Sequence, residues 1–153
     1  MKSKADLRVI ELINKSPKTI EEMRELDEVM NVLSEELDFE AFSLVEELKA
    51  VGVKCNKLWD ITRIGINDIA LEVLINHLSK NYHNKNMEPI LRAIRNKKAK
   101  GKGIVELFAL YHKLPKDDYL REDVSQTICS VITKKDLDVI LEIVKDKSNS
   151  RSR

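Results

Sequence analysis

The sequence predicts an all-α fold, and three observations lead there. Apolar residues recur at steps of three and four along most of the chain, which places them on one face of a helix. No long run alternates with the period of two that a half-buried strand needs. Helix breakers are scarce, with four Gly and three Pro in 153 residues, and the 35% of charged residues are rich in the Glu and Lys that helices favour. One apolar pattern returns after 34 and then 33 residues, from Leu74 to Phe108 and from Phe108 to Leu141, which is the period of a helical-hairpin repeat. A chain of this length, 42% hydrophobic, can bury one real core or a short stack of repeats. Residues 1–153 therefore read as a single helical domain, with an N-terminal helical cap over 1–53, repeats over 56–146 and a disordered tail at 147–153.

The elements follow in order. Ala5 to Asn14 is a short amphipathic helix with Val9, Ile10, Leu12 and Ile13 inward, ended by Ser16-Pro17. Thr19-Ile20-Glu21-Glu22 matches a capping box, in which threonine and glutamate side chains satisfy amide donors that a helix start leaves free. The helix it opens carries Ile20, Met23, Leu26, Met30, Leu33 and Leu37 on one stripe and Glu21, Glu25, Glu28 and Glu35 on another side. Asp38 is expected to cap a third helix with Phe42, Val45 and Leu48 inward, which Gly52 ends. Cys55 to Arg63 is a short connector around Leu58-Trp59-Asp60.

Residues Ile66 to Asn96 form the organising pair of antiparallel helices. Ile66, Ile69, Ala70, Val73, Leu74 and Leu78 make one stripe, and Leu71 and Ile75 start a second, so this helix needs neighbours on two sides. Asn81 to Asn86 turn the chain, and the next helix is expected to open at Glu88-Pro89, where a missing proline N–H costs little, with Met87, Ile90, Leu91 and Ile94 on its apolar face. Lys97 to Gly103 is a basic, glycine-bearing loop. The pattern then returns in Ile104, Leu107, Phe108 and Tyr111, closed by Leu114-Pro115, and in Leu120, Val124, Ile128, Val131 and Ile132. Thr133 to Asp136 cap a last helix with Leu137, Ile140, Leu141 and Val144 inward.

Charge is unevenly spread. Residues 1–50 hold seven Lys/Arg against 13 Asp/Glu, a balance of −6, while residues 51–153 hold 20 against 13, a balance of +7. From Lys18 to Glu47 there are 11 acidic residues against Lys18 and Arg24. The plain reading of such a run is a solvated face; the functional one is a surface for a cationic partner made of Glu21, Glu25, Glu28, Glu35, Glu36, Asp38 and Glu40. Arg92, Arg95, Lys97, Lys98, Lys100 and Lys102 form the opposite cluster. Arg92 and Arg95 could grip phosphates, but no aromatic residue interleaves to stack on bases, so a nucleic-acid partner is not favoured. Trp59 beside Asp60 is either a wedge between helices or a partner anchor.

The histidines His77, His83 and His112 and the cysteines Cys55 and Cys129 show no ligand spacing, so no metal, cofactor or catalytic residue is expected, and both thiols read as reduced and buried. With no signal peptide and no apolar run approaching about 18 residues, the chain is expected to be cytoplasmic, off the membrane and monomeric when free.

Leu58-Trp59-Asp60, the run Ala70 to Leu78, the run Met87 to Ile94 and the run Val139 to Asp146 resemble the HEAT-like repeat proteins common in bacterial genomes. The resemblance spans roughly residues 56–153, rests mostly on packing positions, and leaves the first 50 residues outside it. It implies a short right-handed stack of antiparallel helix hairpins, a HEAT-like α-solenoid. Such proteins continue past the final aspartate into a further packed helix, whereas this sequence ends at Arg153, which leaves the last helix either cut short or capped in another way. The resemblance also implies a non-enzymatic protein-binding role, most sharply an immunity protein of the contact-dependent growth inhibition type that sterically blocks a basic, nuclease-type toxin. Nucleic-acid binding through residues 92–102 and a scaffold role are the alternatives.

Overall fold

The computed structural model describes residues 3–16 and 18–138, and among these every regular element is a helix. Helix α1 is Lys4–Asn14, α2 Ile20–Ala50, α3 Asp68–His77, α4 Asn84–Ile94, α5 Ile104–Lys113 and α6 Leu120–Val131, with 3₁₀ turns at Leu58–Thr62 and Lys97–Ala99. A further helix begins at residue 134, where Thr133 and Asp136 exchange hydrogen bonds as the expected cap. The expected inward residues Ile140, Leu141 and Val144 and the tail at 147–153 lie outside the described residues. No helix among the described residues is long and apolar enough to cross a membrane.

The capping box at Thr19 forms as read: its hydroxyl accepts from the Glu22 amide and the Glu22 carboxylate accepts from the Thr19 amide. Ser3 and Asp6 build a second box at the start of α1. Beyond Thr19 the reading needs correction, because α2 runs unbroken through Asp38 for 31 residues. No Gly or Pro interrupts positions 20–50, so Asp38 costs only a fraction of a kcal/mol inside the helix and has no break to cap. At 1.5 Å per residue α2 is about 46 Å long, whereas the 11 residues of α1 cover about 16 Å of it.

That mismatch decides what is buried. Ala41, Leu44, Val45 and Leu48, at the C-terminal end of α2, join the main core, while its N-terminal half is supported by α1 through Leu12 and Leu33. Ile10, Ile13, Ile20, Met23 and Met30, expected inward, are exposed because α1 covers one side of a longer helix and nothing described covers the next. The main core is the α3–α4 pair with the Leu58–Thr62 turn against α4, joined through α4 to α6 and so to the α5–α6 pair. Ile66, Ala70, Leu71, Leu74, Ile75 and Leu78 are buried on two sides of α3 as expected, but Ile69 is 64% exposed.

Helix α4 starts earlier than expected. His83, not Glu88, caps it, its Nδ1 accepting from the Lys85 amide, and Pro89 sits inside the helix. An interior proline costs roughly 3 kcal/mol, and long-range bonds to α2 offset it here: Glu40 accepts from the His83 amide and, with the Leu37 carbonyl, from the Asn86 amide side chain. Gly103 starts α5 with φ +73°, and a Cβ there would meet Ile75 Cγ1 at 3.2 Å. Gly103→Ala is therefore expected to cost about 1–2 kcal/mol, from the left-handed backbone with the contact added, and urea unfolding measures it.

Candidate functional site

The continuity of α2 creates a surface that a broken helix could not have. Glu21, Glu25, Glu28, Val32, Glu35, Phe39, Phe42 and Glu46 are separated by alternating steps of four and three, so they lie along one stripe with the spacing of a coiled-coil seam. From Glu28 to Glu46 the stripe faces solvent. Phe39 is 87% exposed, Phe42 63% and Val32 49%, so two of the chain's aromatic rings stand in water, bracketed by carboxylates. Phe42, expected in the core, is displaced outward because Ala41, Leu44 and Val45 take the inner face of the same turns. An open hollow of about 180 Å³ borders the stripe, lined by Phe42 and Glu46 together with Asp38, Lys49 and the backbone run Asn56–Leu58.

The acidic residues divide into those used by the fold and those left over. Arg8 forks onto Glu25 at 2.5 and 2.8 Å, binding α1 to α2, and Lys15 holds Glu22 at 2.6 Å. Glu40 is committed to His83 and Asn86, and Asp60 accepts from the Asn56 and Lys57 amides, which holds its carboxyl below the usual range. Glu21, Glu28, Glu35 and Glu36 are exposed and have no hydrogen bond or ion pair among the described residues, and Asp38 lies 3.9 Å from Lys57.

These ion pairs make the hairpin acid-sensitive. The Lys15 ion pair, helped by the Thr19 amide, brings Glu22 from 4.5 to about 2, and Arg8 holds Glu25 below its usual value. A carboxylate depressed by folding contributes stability that is fully present above its unfolded pKa and is lost as pH falls through the folded one. The α1–α2 contact is expected to loosen between pH 4.5 and about 2 and to be unaffected at neutral pH. Amide exchange of α1, corrected for intrinsic rates, checks this; protection unchanged down to pH 2 would show that the pairs contribute nothing.

The basic cluster is largely occupied. Arg95 donates to Thr127 Oγ1 and to the Asp123 carbonyl and carboxylate, all at 2.9 Å, while Lys98 and Lys100 reach the Ile66 and Ile132 carbonyls at 3.5 and 3.4 Å. Arg92 lies 5.3 Å over the ring of Trp59, which is 41% exposed; α4 and the 3₁₀ turn thus bring these two together as a cation–π pair on the surface.

Two part-buried polar chains join the elements. Tyr82 Oη donates to His77 Nδ1 at 2.6 Å, and His77 Nε2 donates to Glu47. Burial first, then Glu47 and Glu40, pushes the Tyr82 hydroxyl up to about 12, the direction that keeps it a proton donor, so the trio acts as a structural strut from α2 to α3 rather than as an activated nucleophile. His83 Nε2 donates to Asp6 at 2.5 Å, tying α1 to the start of α4. Among the described residues no group of three His, Cys, Asp or Glu could hold a metal ion. Cys55 is buried, and burial pushes its thiol up, whereas Cys129, expected in the core, is exposed because Ile128, Val124 and Val131 occupy the inner face of α6.

No family model, no curated protein and no solved structure matches this chain. The site therefore stands on its own geometry. Sequence reasoning missed Val32, Phe39 and Phe42 as surface residues; the signal was the unbroken four-three register from Glu21 to Glu46, hidden by splitting the helix at Asp38.

Proposed function

We propose that this chain is a non-enzymatic protein-binding module that engages a cationic partner through the outer face of α2, in its sharpest form an immunity protein occluding a basic toxin. The observation that carries the reading is the set of carboxylates of Glu21, Glu28 and Glu35, unpaired among the described residues, along one face of a helix whose Glu22, Glu25, Glu40 and Glu47 are engaged by partners within the fold. Exposed like charges of this kind cost self-repulsion and contribute little to stability, whereas against a cationic cleft they steer encounter and reject wrong partners. In this reading α3 to α6 form a HEAT-like right-handed stack that carries α2, a view supported by the contact of α4 with α6 across successive hairpins. Arg95 being held by Thr127 and Asp123, with Lys98 and Lys100 each near a backbone carbonyl, favours the acidic face over the basic segment as the working surface.

The test pairs the chain with the product of the gene immediately upstream of its own. With Glu21, Glu28 and Glu35 all changed to lysine, the association rate at low salt is expected to fall about tenfold or more, the difference shrinking at high salt while circular dichroism stays unchanged. A complex that forms at the same rate with the reversed charges would remove the acidic face from the mechanism.

A further inference from the structure

We infer that the outer face of α2 is a docking surface for a basic amphipathic helix presented by a partner protein, an inference that rests on the acidic-face reading above and names the partner's chemistry. Three observations support it. First, the register: Glu28, Val32, Glu35, Phe39, Phe42 and Glu46 repeat every three and four residues over about 27 Å, the spacing at which one helix meets another along a seam. An extended segment or a loop has no matching repeat. Second, the exposed rings: Phe39 and Phe42 lie on adjacent turns, and the hollow beside Phe42 has room for one large side chain of an incoming helix. Exposed paired aromatics in this setting mark a contact surface, since truncating aromatic anchors is what interfaces tolerate least.

Third, the charge decides between occupants. In an antiparallel pairing of two copies that overlaps the whole stripe, Glu46 would stand opposite Glu21, Phe42 opposite Glu25, Phe39 opposite Glu28 and Glu35 opposite Val32, and a register shifted to stack Phe39 on Phe42 sets Glu35 against Glu46. Each contact of the full overlap sets a carboxylate against another carboxylate or against an apolar group, so none gains a new cation, and Glu25 and Glu46 keep only the Arg8 and Lys49 they already have. A parallel pairing covers Val32, Phe39 and Phe42 with their own copies but sets each of the five carboxylates of the stripe against itself. A helix with Leu or Phe on its seam and Lys or Arg flanking it instead covers Val32, Phe39 and Phe42 while its cations reach the unpaired Glu28 and Glu35, as amphipathic helices do in apolar grooves.

The experiment titrates the full chain with three synthetic helical peptides of about 21 residues. One has leucines at four-three spacing flanked by lysine and arginine; one is its scrambled sequence; one keeps the leucine pattern with glutamate in place of the cations. The patterned basic peptide is expected to bind about tenfold or more tighter than its scramble and to gain helix on binding. The Phe39→Ser/Phe42→Ser double variant is expected to lose that advantage while keeping the parent's circular dichroism and unfolding midpoint, because both rings are exposed. Equal affinity for patterned and scrambled basic peptides would overturn helix docking and leave the acidic-face reading standing. No binding of either basic peptide at low salt would remove both readings. Equal binding of the acidic patterned peptide would overturn the cationic partner, and a dimer of the free chain that dissolves in the serine variant would reassign the surface to a second copy.

Discussion

Leu74→Ala is expected to lower the unfolding free energy by about 2–5 kcal/mol, the largest loss of any substitution argued for this chain. Leu74 is fully enclosed, and Leu71 on the same helix and Leu78 at its C-cap are buried almost as completely. Helix α3 packs against both α2 and α4, so removing the isobutyl group leaves a void between helices that other contacts hold in place. The walls cannot all move inward, and the cavity adds to the lost transfer free energy. Ile69→Ala provides the contrast: sequence spacing sets Ile69 on the stripe of Leu74, but it is exposed, and its loss is expected within about 0.5 kcal/mol. Urea unfolding of the two variants measures both. Equal effects would mean that α3 buries a different face.

What the sequence makes legible is local. The capping boxes at Thr19 and Thr133 and the end of α5 at Leu114 are written in a few consecutive residues whose side chains and backbone satisfy one another, and they stand where read. The two-sided burial of α3 was legible because one helix carried two apolar stripes. The start of α4 was not, because its cap is a histidine, an uncommon N-cap residue, and the carboxylate that holds the His83 amide is Glu40, 43 residues away, beyond any spacing rule. The break at Asp38 was misread for a related reason. A good N-cap residue followed by an apolar pattern looks like a helix start, but continuation costs less than breaking when no Gly or Pro intervenes and the core beneath takes Ala41, Leu44 and Leu48 in sequence.

The candidate site shows the same division. That the acidic run faces solvent was visible in composition, but which of its members remain available was not. Glu22, Glu25 and Glu40 look like Glu21, Glu28 and Glu35 in the sequence, and only tertiary partners separate the consumed from the free. The Trp59–Arg92 pair joins two candidates that lie 33 positions apart, so its formation depended on α4 packing against the 3₁₀ turn.

Arg95→Ala tests that division most sharply, because a partner-binding arginine and a structural one predict opposite outcomes. Arg95 ends α4 and donates from Nε to Thr127 Oγ1 and from one terminal nitrogen to the carbonyl and carboxylate of Asp123, while Thr127 Oγ1 donates in turn to the same carbonyl. The network fastens α4 to α6, the joint between successive hairpins, and Thr127 is wholly buried. Removing the guanidinium leaves Thr127 without a donor and Asp123 without its cation. Fully buried pairs lose about 3–5 kcal/mol this way, and since both side chains here are about a quarter exposed, a loss of about 2–3 kcal/mol is expected. Lysine should recover less than half of it, because a single ammonium cannot reproduce donors placed on two nitrogens of a rigid fork. Unfolding midpoints of the alanine and lysine variants, with binding of the patterned basic peptide measured alongside, settle the role: stability within about 0.5 kcal/mol of the parent with weakened partner binding would return Arg95 to the interaction surface.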